Sequence, residues 1–163
     1  MTILRWMIRI VLMLALGIGL VFLGARYSDG PLGPIPGGAL VSGVVVSGPV
    51  GDWSFATDVP EIALQLASQS QSRTTWILVS DGKAYIPAST EYPPGKTWHK
   101  KALEDGRATL RIDGKLYPVT LAKVDDPAVA TSVREVASRK YPSRPPGDAW
   151  LFQVTSRSGG AGG

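Results

Sequence analysis

The pattern of apolar and polar positions divides the chain into one uninterrupted apolar run and a longer part made of short alternating segments. Residues 10–25, IVLMLALGIGLVFLGA, carry no charge, and the run reaches about twenty residues when it is extended back to Trp6. A helix of that length spans a hydrocarbon core of roughly 30 Å. Trp6 and Tyr27 stand at its ends, where amphipathic rings favour the membrane interface. The pattern predicts a transmembrane anchor over residues 1–27 that contacts the lipid bilayer through residues 6–25.

The basic residues around this run predict its orientation. Arg5 and Arg9 precede it and Arg26 follows it, and basic residues favour the cytoplasmic side of a membrane. We therefore expect a single-pass protein of the inner (cytoplasmic) membrane whose C-terminal domain is exported. The alternative is a signal peptide cleaved after Ala25, although the large Leu23 would then occupy the third position before the cut.

After the apolar run, composition separates a linker, a domain and a tail. Residues 28–40 hold three prolines and four glycines, which do not propagate a helix or a strand ladder. We expect this segment to be an extended linker and residues 41–155 to form one domain. Residues 156–163 are rich in glycine and serine, which predicts a disordered tail.

Most of the domain has the pattern of short β-strands. Residues 61–67 alternate, with Ile62, Leu64 and Leu66 on one face. Two β-rich stretches each contain an Asp-Gly pair, which is a strong signal for a hairpin turn. Tyr85 and Tyr117 follow these turns at matching positions, which predicts a cross-strand aromatic pair. The hairpins are predicted at residues 74–87 and 108–124, and further strands at residues 41–46, 53–57 and 149–155.

Two helices interrupt the strands. Thr97 is placed to cap a helix over residues 98–105, and Gly106 to end it in a left-handed conformation. Asp126 and Pro127 open a second helix of about fourteen residues. Its predicted buried stripe consists of Val129, Val133, Val136 and Ala137. Hairpins with two short helices predict a mainly β (α+β) fold, a split antiparallel β-barrel preceded by one transmembrane helix.

Composition and charge exclude several functional classes. The chain has no cysteine and one histidine, His99, so thiolate chemistry, histidine metal clusters and a metal site have no support. Three of the 17 basic residues belong to the anchor, which leaves 14 against 13 acidic residues in the rest of the chain. A nearly neutral domain does not favour nucleic-acid binding. No hydrolase or phosphate-loop motif occurs.

The order of elements from the first hairpin onward resembles a known superfamily. The segments WHKKAL, beginning at Trp98, and GRATLRIDGKLYPVTLAKVDDPAVA, beginning at Gly106, carry the likeness. They resemble the split-barrel flavin-binding superfamily, which includes pyridoxamine-phosphate-oxidase-like proteins and deazaflavin-dependent nitroreductases. The resemblance covers roughly residues 40–155. It implies a split barrel, a homodimer, and FMN or a deazaflavin as cofactor.

A set of basic, hydroxyl and aromatic residues could hold such a cofactor. Lys96, Lys100 and Lys101 crowd the start of the first domain helix, where the positive end of the helix dipole does not favour cations unless an anion lies nearby. The alternative is a solvated basic turn, with both tryptophans in the core. The cofactor-binding hypothesis comprises Arg73, Thr74, Thr75, Trp76, Lys96, Trp98, Lys100 and Lys101.

The residues do not identify a catalytic group. We expect His99 to be an exposed histidine of a short helix, with a proton donor as the alternative. Three functions remain: a membrane-tethered flavin or deazaflavin reductase, a non-catalytic binding or scaffold module of the envelope that has lost the cofactor, and a self-pairing envelope structural protein. The second is favoured by Lys101 and Ala102, which stand where the deazaflavin family usually has an asparagine.

Overall fold

In the computed structural model, which describes residues 2–90, 95–143 and 149–158, a mainly antiparallel sheet is curled into a half barrel and follows an N-terminal helix. The elements are α1 (Thr2–Tyr27), β1 (Val44–Val45), β2 (Ile62–Leu66), β3 (Ser72–Thr75), β4 (Leu78–Ser80), β5 (Lys83–Ser89), α2 (Trp98–Glu104), β6 (Arg107–Ile112), β7 (Lys115–Lys123), α3 (Pro127–Lys140) and β8 (Ala149–Ser156). The strands pair in the order β3-β2-β6-β7-β8-β5-β4, and the short β1 adds to β7 in the parallel sense.

The curl of the sheet follows from its connectivity. Strands β3 and β4 lie at the two ends of the strand order, yet only Trp76 and Ile77 separate them along the chain. The three Cα steps from Thr75 to Leu78 span at most about 10 Å, so the two ends of the sheet must approach each other. The predicted mainly β fold with an antiparallel barrel architecture is therefore confirmed.

Both predicted Asp-Gly hairpins form. Asp81 and Gly82 join β4 to β5, while Asp113 and Gly114 join β6 to β7. All four residues have positive φ, between 48° and 72°, which is the requirement of a two-residue turn matched to strand twist. The first hairpin is shorter than predicted, because residues 74 and 75 belong to β3 and pair with β2.

Strand alternation separates an inner core from an outer layer. Ile62, Leu64 and Leu66 all point inward and are at most 3% exposed, as their spacing predicted. Tyr117 also lies in the inner core, whereas Tyr85 packs in the outer cluster beneath α3. Strand β8 pairs with both β5 and β7 and so separates them. The predicted Tyr85–Tyr117 pair is therefore wrong.

Helix α3 matches its prediction. The Asp126 carboxylate accepts a hydrogen bond from the Ala128 N–H at 2.8 Å, and Pro127 occupies the first turn. The predicted stripe faces the sheet, with Val133 and Ala137 fully buried. At its last residue, Lys140 donates to backbone carbonyls of the turn before β2 and of the β3–β4 connection.

The details predicted around α2 and before β2 are wrong. The Thr97 side chain makes no capping hydrogen bond, and the helix ends at Asp105 in an extended conformation. Gly106 is not left-handed; a Cβ there would lie 2.2 Å from the Leu121 carbonyl oxygen, so close strand packing explains the glycine. The strand predicted at residues 53–57 is a 3₁₀ turn over Ser54–Ala56, because Asp52 accepts hydrogen bonds from the Ser54 N–H and hydroxyl.

Residues 28–46, which we call the strap, lie across the outer face of the sheet rather than extending freely. Gly37 exchanges two backbone hydrogen bonds with Ser72 of β3, at 3.0 and 3.1 Å. The Leu40 N–H donates to the Gln65 side chain of β2 at 2.8 Å, and the end of the strap forms β1 on β7. A Cβ on Gly37 would lie 1.7 Å from the Gly30 carbonyl oxygen. Glycine is needed here because the outgoing and returning arms of the strap touch.

Asp29 fastens the strap two residues after α1. Its carboxylate pairs with Arg111 of β6 at 3.0 Å and accepts the Val41 N–H at 2.8 Å. The Ser42 N–H adds a longer bond of 3.3 Å. Hydrogen bonds from the Ser42 side chain and the Val41 backbone, reinforced by the Arg111 charge, hold the pKa of Asp29 well below its ordinary value of 3.8.

Helix α1 stands apart from this fold. The most apolar 18-residue window of Ile3–Tyr27 has a mean hydropathy of 2.4, and the large apolar side chains of the helix are exposed. By length and composition the helix is able to cross a membrane. At the other end of the chain β8 continues to Ser156, the first residue of the predicted tail. Residues 159–163 of that tail lie outside the described part.

Candidate functional site

Strand β3 places Arg73 on the inner side of the half barrel. Its cross-strand partner is Leu64, which is fully buried in the inner core, and paired residues share a face. The guanidinium lies 5.6 Å from the centre of the Trp98 ring and donates to the Gln69 side chain at 3.0 Å. Burial lowers the pKa of Arg73, as expected for a cation taken from water.

Lys96 lies close enough to Arg73, and His99 close enough to Lys96, for the charge of one to affect the pKa of the next. Burial and then the Arg73 charge lower the pKa of Lys96. Burial, followed by the charges of Lys96 and Lys100, lowers the pKa of His99. We call Arg73, Lys96 and His99 the cationic corner. The Arg73 charge thus disfavours the charged form of Lys96, and the Lys96 charge disfavours that of His99.

The His99 ring is the most constrained part of the corner. It is 3% exposed and meets the rings of Trp98 and Trp150 edge-on, at centroid distances of 6.5 and 5.0 Å. Within the described ranges its Nδ1 atom has no hydrogen-bond partner. A buried nitrogen without a partner is costly. The prediction of an exposed histidine is wrong, because α2 packs this face against β8.

These features suit an anion. A negative group beside Lys96 would offset the positive charges that lower the pKa of His99 and would therefore raise that pKa. Phosphate oxygens accept the forked donors of arginine particularly well. Arg73 and Lys96, predicted as cofactor-binding residues, are thus brought together. His99 was not in that set, since its burial depends on tertiary packing.

The side chains of Thr74, Thr75 and Trp76, at the end of β3 and directly after it, point in different directions. Thr75 pairs with the buried Ile62 and shares the face of Arg73. Thr74 points outward, where its hydroxyl donates to the Gly33 carbonyl of the strap at 2.5 Å. Trp76 stacks on Tyr141 after α3, with ring centres 4.2 Å apart and an interplanar angle of 13°.

The two predicted tryptophans do not form one stacking wall. Trp98 is 3% exposed and packs against Phe152 inside the half barrel, whereas Trp76 lies on the outer side with Tyr141. Lys100 and Lys101 are exposed on α2. The corner therefore has hydrogen-bond donors that suit a phosphate. Trp76 and Trp98 do not together form a surface on which a flavin ring could stack within one chain.

The described part of the chain contains no cluster of three or more His, Asp and Glu side chains that could hold a metal ion. Asp125 pairs with Lys123 at 3.0 Å, and Asp126 caps α3. Each of these two acidic residues therefore has a structural partner.

Two crystal structures are among the solved structures that are similar to this chain. A candidate general stress protein 26 from Jannaschia sp. CCS1 has 18% sequence identity and a TM-score of 0.46, and the match covers 64% of this chain and 70% of that one. A NimC/NimA family protein from Clostridium acetobutylicum has 18% identity and a TM-score of 0.42, with coverage of 65% and 83%. No protein-family model matches the chain, and no curated protein matches it significantly. At 18% identity and TM-scores below 0.5, the activity of neither protein is transferred to this chain.

Proposed function

We propose that this protein is a membrane-anchored split-barrel module that binds a phosphate-bearing ligand, FMN or a deazaflavin, at the cationic corner. The observation that carries the proposal is the buried His99 Nδ1, which has no hydrogen-bond partner among the described residues and is affected by the charge of Lys96. An anion there would accept a hydrogen bond from the protonated His99 ring and would offset the positive charges of Lys96 and Lys100. The sequence resemblance to flavin-binding split barrels supports the same choice of ligand.

The chain's own residues account for one end of such a cofactor. Arg73, Lys96 and His99 would hold the phosphate, and Thr75 lies on the same face of β3. A second copy of the chain, as the resemblance implies, would have to supply the wall for the ring. When bound, a flavin or deazaflavin would supply hydride transfer, and the proposed activity is that of a reductase at the membrane.

The membrane anchor gives this module its location. We assign α1 to the inner membrane and the barrel to the exported side, from the distribution of Arg5, Arg9 and Arg26. A reporter enzyme fused after Gly163 that works only after export is expected to be active. Activity of a cytoplasm-specific reporter at the same position would contradict this orientation.

A specific observation favours a second function. Trp98 is part of the core and Trp76 is stacked on Tyr141, so neither is free to stack on a ring without rearrangement. A non-catalytic binding or scaffold module of the envelope needs no such wall. In that case the corner would stabilise the fold through the Arg73–Trp98 contact and bind no cofactor.

Ligand binding separates the two functions. The full chain in a mild detergent is titrated with FMN, a deazaflavin or inorganic phosphate, and its thermal unfolding is followed together with the visible absorbance of bound cofactor. A ligand present at about 100 times its Kd stabilises the folded state by about 2.7 kcal/mol. The proposal predicts a clear rise in melting temperature with FMN or the deazaflavin.

Two matched variants test whether the rise in melting temperature comes from binding at the cationic corner. Arg73→Gln is expected to abolish the ligand-induced rise, measured from the variant's own baseline. Lys101→Gln removes an exposed cation of α2 and is expected to keep the rise. Absence of a rise with either cofactor in the unmodified chain would favour the scaffold function, and an equal rise in both variants would remove the corner from the binding site.

A further inference from the structure

Three exposed valines occupy the returning end of the strap. Val41, Val44 and Val45 are 75%, 71% and 56% exposed. The other exposed large apolar side chains that the structure describes outside α1, Leu32, Phe55 and Leu103, are isolated along the chain, whereas these three fall within five positions. Clustered apolar surface of this kind indicates an interaction site.

The strap fixes this cluster beside the end of α1. The Val41 N–H donates to Asp29, which lies only two residues beyond the helix. Arg111 pairs with the same carboxylate and also donates to the Ser42 carbonyl at 3.4 Å. Val44 and Val45 follow at once as β1, which is held on β7. The valines therefore lie near the helix end whatever the direction of α1 relative to the barrel.

We infer that residues 41–45 enter the headgroup region of the membrane and seat the barrel on the lipid surface. The inference rests on the membrane placement of α1 in the proposed function. Because the last turn of a spanning helix lies at the interface, side chains fastened to that turn lie there as well. Arg26, exposed at the same end, suits anionic headgroups. Lipid is thus the partner within reach of all three valines.

The absence of cysteine from the chain makes a direct test available. Val44→Cys in the full chain carries a nitrobenzoxadiazole label, and the protein is reconstituted in phosphatidylcholine and phosphatidylglycerol vesicles with a nitroxide near the top of the acyl chain. The matched control is Thr131→Cys, an exposed β-branched position on α3, which covers the other half of the outer face. Leu14→Cys lies at the middle of α1 and reports on the anchor in parallel vesicles that carry the nitroxide at the end of the acyl chain.

The expected result is a several-fold greater loss of fluorescence at position 44 than at position 131, with a blue-shifted emission at position 44. Quenching at position 14 with equal, weak quenching at 44 and 131 would overturn the docking while leaving the anchor intact. Weak quenching at all three positions would overturn both the docking and the anchor. A disulfide formed between two Val44→Cys chains, without lipid quenching, would identify a second copy as the occupant and overturn the inference.

Discussion

Replacing Gly37 with alanine tests whether the strap is an integral part of the fold. A Cβ at this position would lie 1.7 Å from the Gly30 carbonyl oxygen and 2.3 Å from its carbon. Nonbonded carbon contacts become favourable only near roughly 3.5 Å, so the two arms would have to separate by about 1–2 Å. Both neighbours are backbone atoms, so no side-chain rotation relieves the clash.

The expected loss of stability follows from the bonds that this separation breaks. Gly37 exchanges two backbone hydrogen bonds with Ser72, and the buried Ser72 hydroxyl donates to the Gly38 carbonyl at 2.5 Å. A hydrogen bond contributes about 0.5–1.5 kcal/mol net, so the loss of three amounts to about 1.5–4.5 kcal/mol. We therefore expect Gly37→Ala to lower the free energy of unfolding by an amount in this range.

Urea unfolding of the full chain in detergent, followed by tryptophan fluorescence, measures this loss. Gly48→Ala is the matched control, because a Cβ there meets no atom within 4 Å, and a change within about 0.5 kcal/mol is expected. Elastase should also cut the strap of Gly37→Ala faster than that of the control. Equal stability and equal cleavage of the two variants would refute the packed strap and with it the fixed position of the valines.

Three further predictions concern single side chains. Because the folded state lowers the pKa of Asp29, this carboxylate contributes its full stabilisation at pH values above 3.8, and the contribution is lost as the pH falls below that value. Asp29→Asn should therefore weaken the fall in the free energy of unfolding at acid pH, measured by urea unfolding. Glu135→Gln on α3 is the control and should show the same fall as the unmodified chain. Asp126→Ala removes the cap of α3 and should cost about 1 kcal/mol in urea unfolding, with an unchanged free energy refuting the capping role. Lys140→Met leaves partly buried carbonyls without their donor and should cost about 1–3 kcal/mol, a neutral result showing that water replaces the ammonium group.

The sequence predicts best those features that short-range chemistry determines. The two Asp-Gly turns, the Asp126 cap and the alternation of Ile62, Leu64 and Leu66 each depend on residues a few positions apart. These signals are sufficient to give the two hairpin turns, strand β2, the α3 helix and the antiparallel architecture. Residues 53–57 were mispredicted because apolar alternation outweighed the Asp52 side chain, which closes a local turn.

The features that sequence reasoning missed depend on contacts between distant segments. Proline and glycine in residues 28–40 indicated a linker. In the structure, glycine at position 37 allows the backbone to approach Gly30 closely. This contact arises because the strap folds back on itself, which the local sequence does not show. Arg73 and Lys96 were predicted as members of one cofactor-binding set, from the basic residues at the start of a helix and the donors at the start of a strand. The burial of His99 and the separation of Trp76 from Trp98 follow from the strand order, which local patterns do not give.

The pKa of His99 tests the anion-binding corner most directly. The chain has one histidine, so its imidazole resonances in an NMR titration are unambiguous. The pKa of His99 should lie below its ordinary value of 6.5 in the free protein, because burial and the charges of Lys96 and Lys100 lower it. It should rise when FMN or a deazaflavin is added at saturation. A pKa that stays the same in the presence of either cofactor would contradict the proposed site.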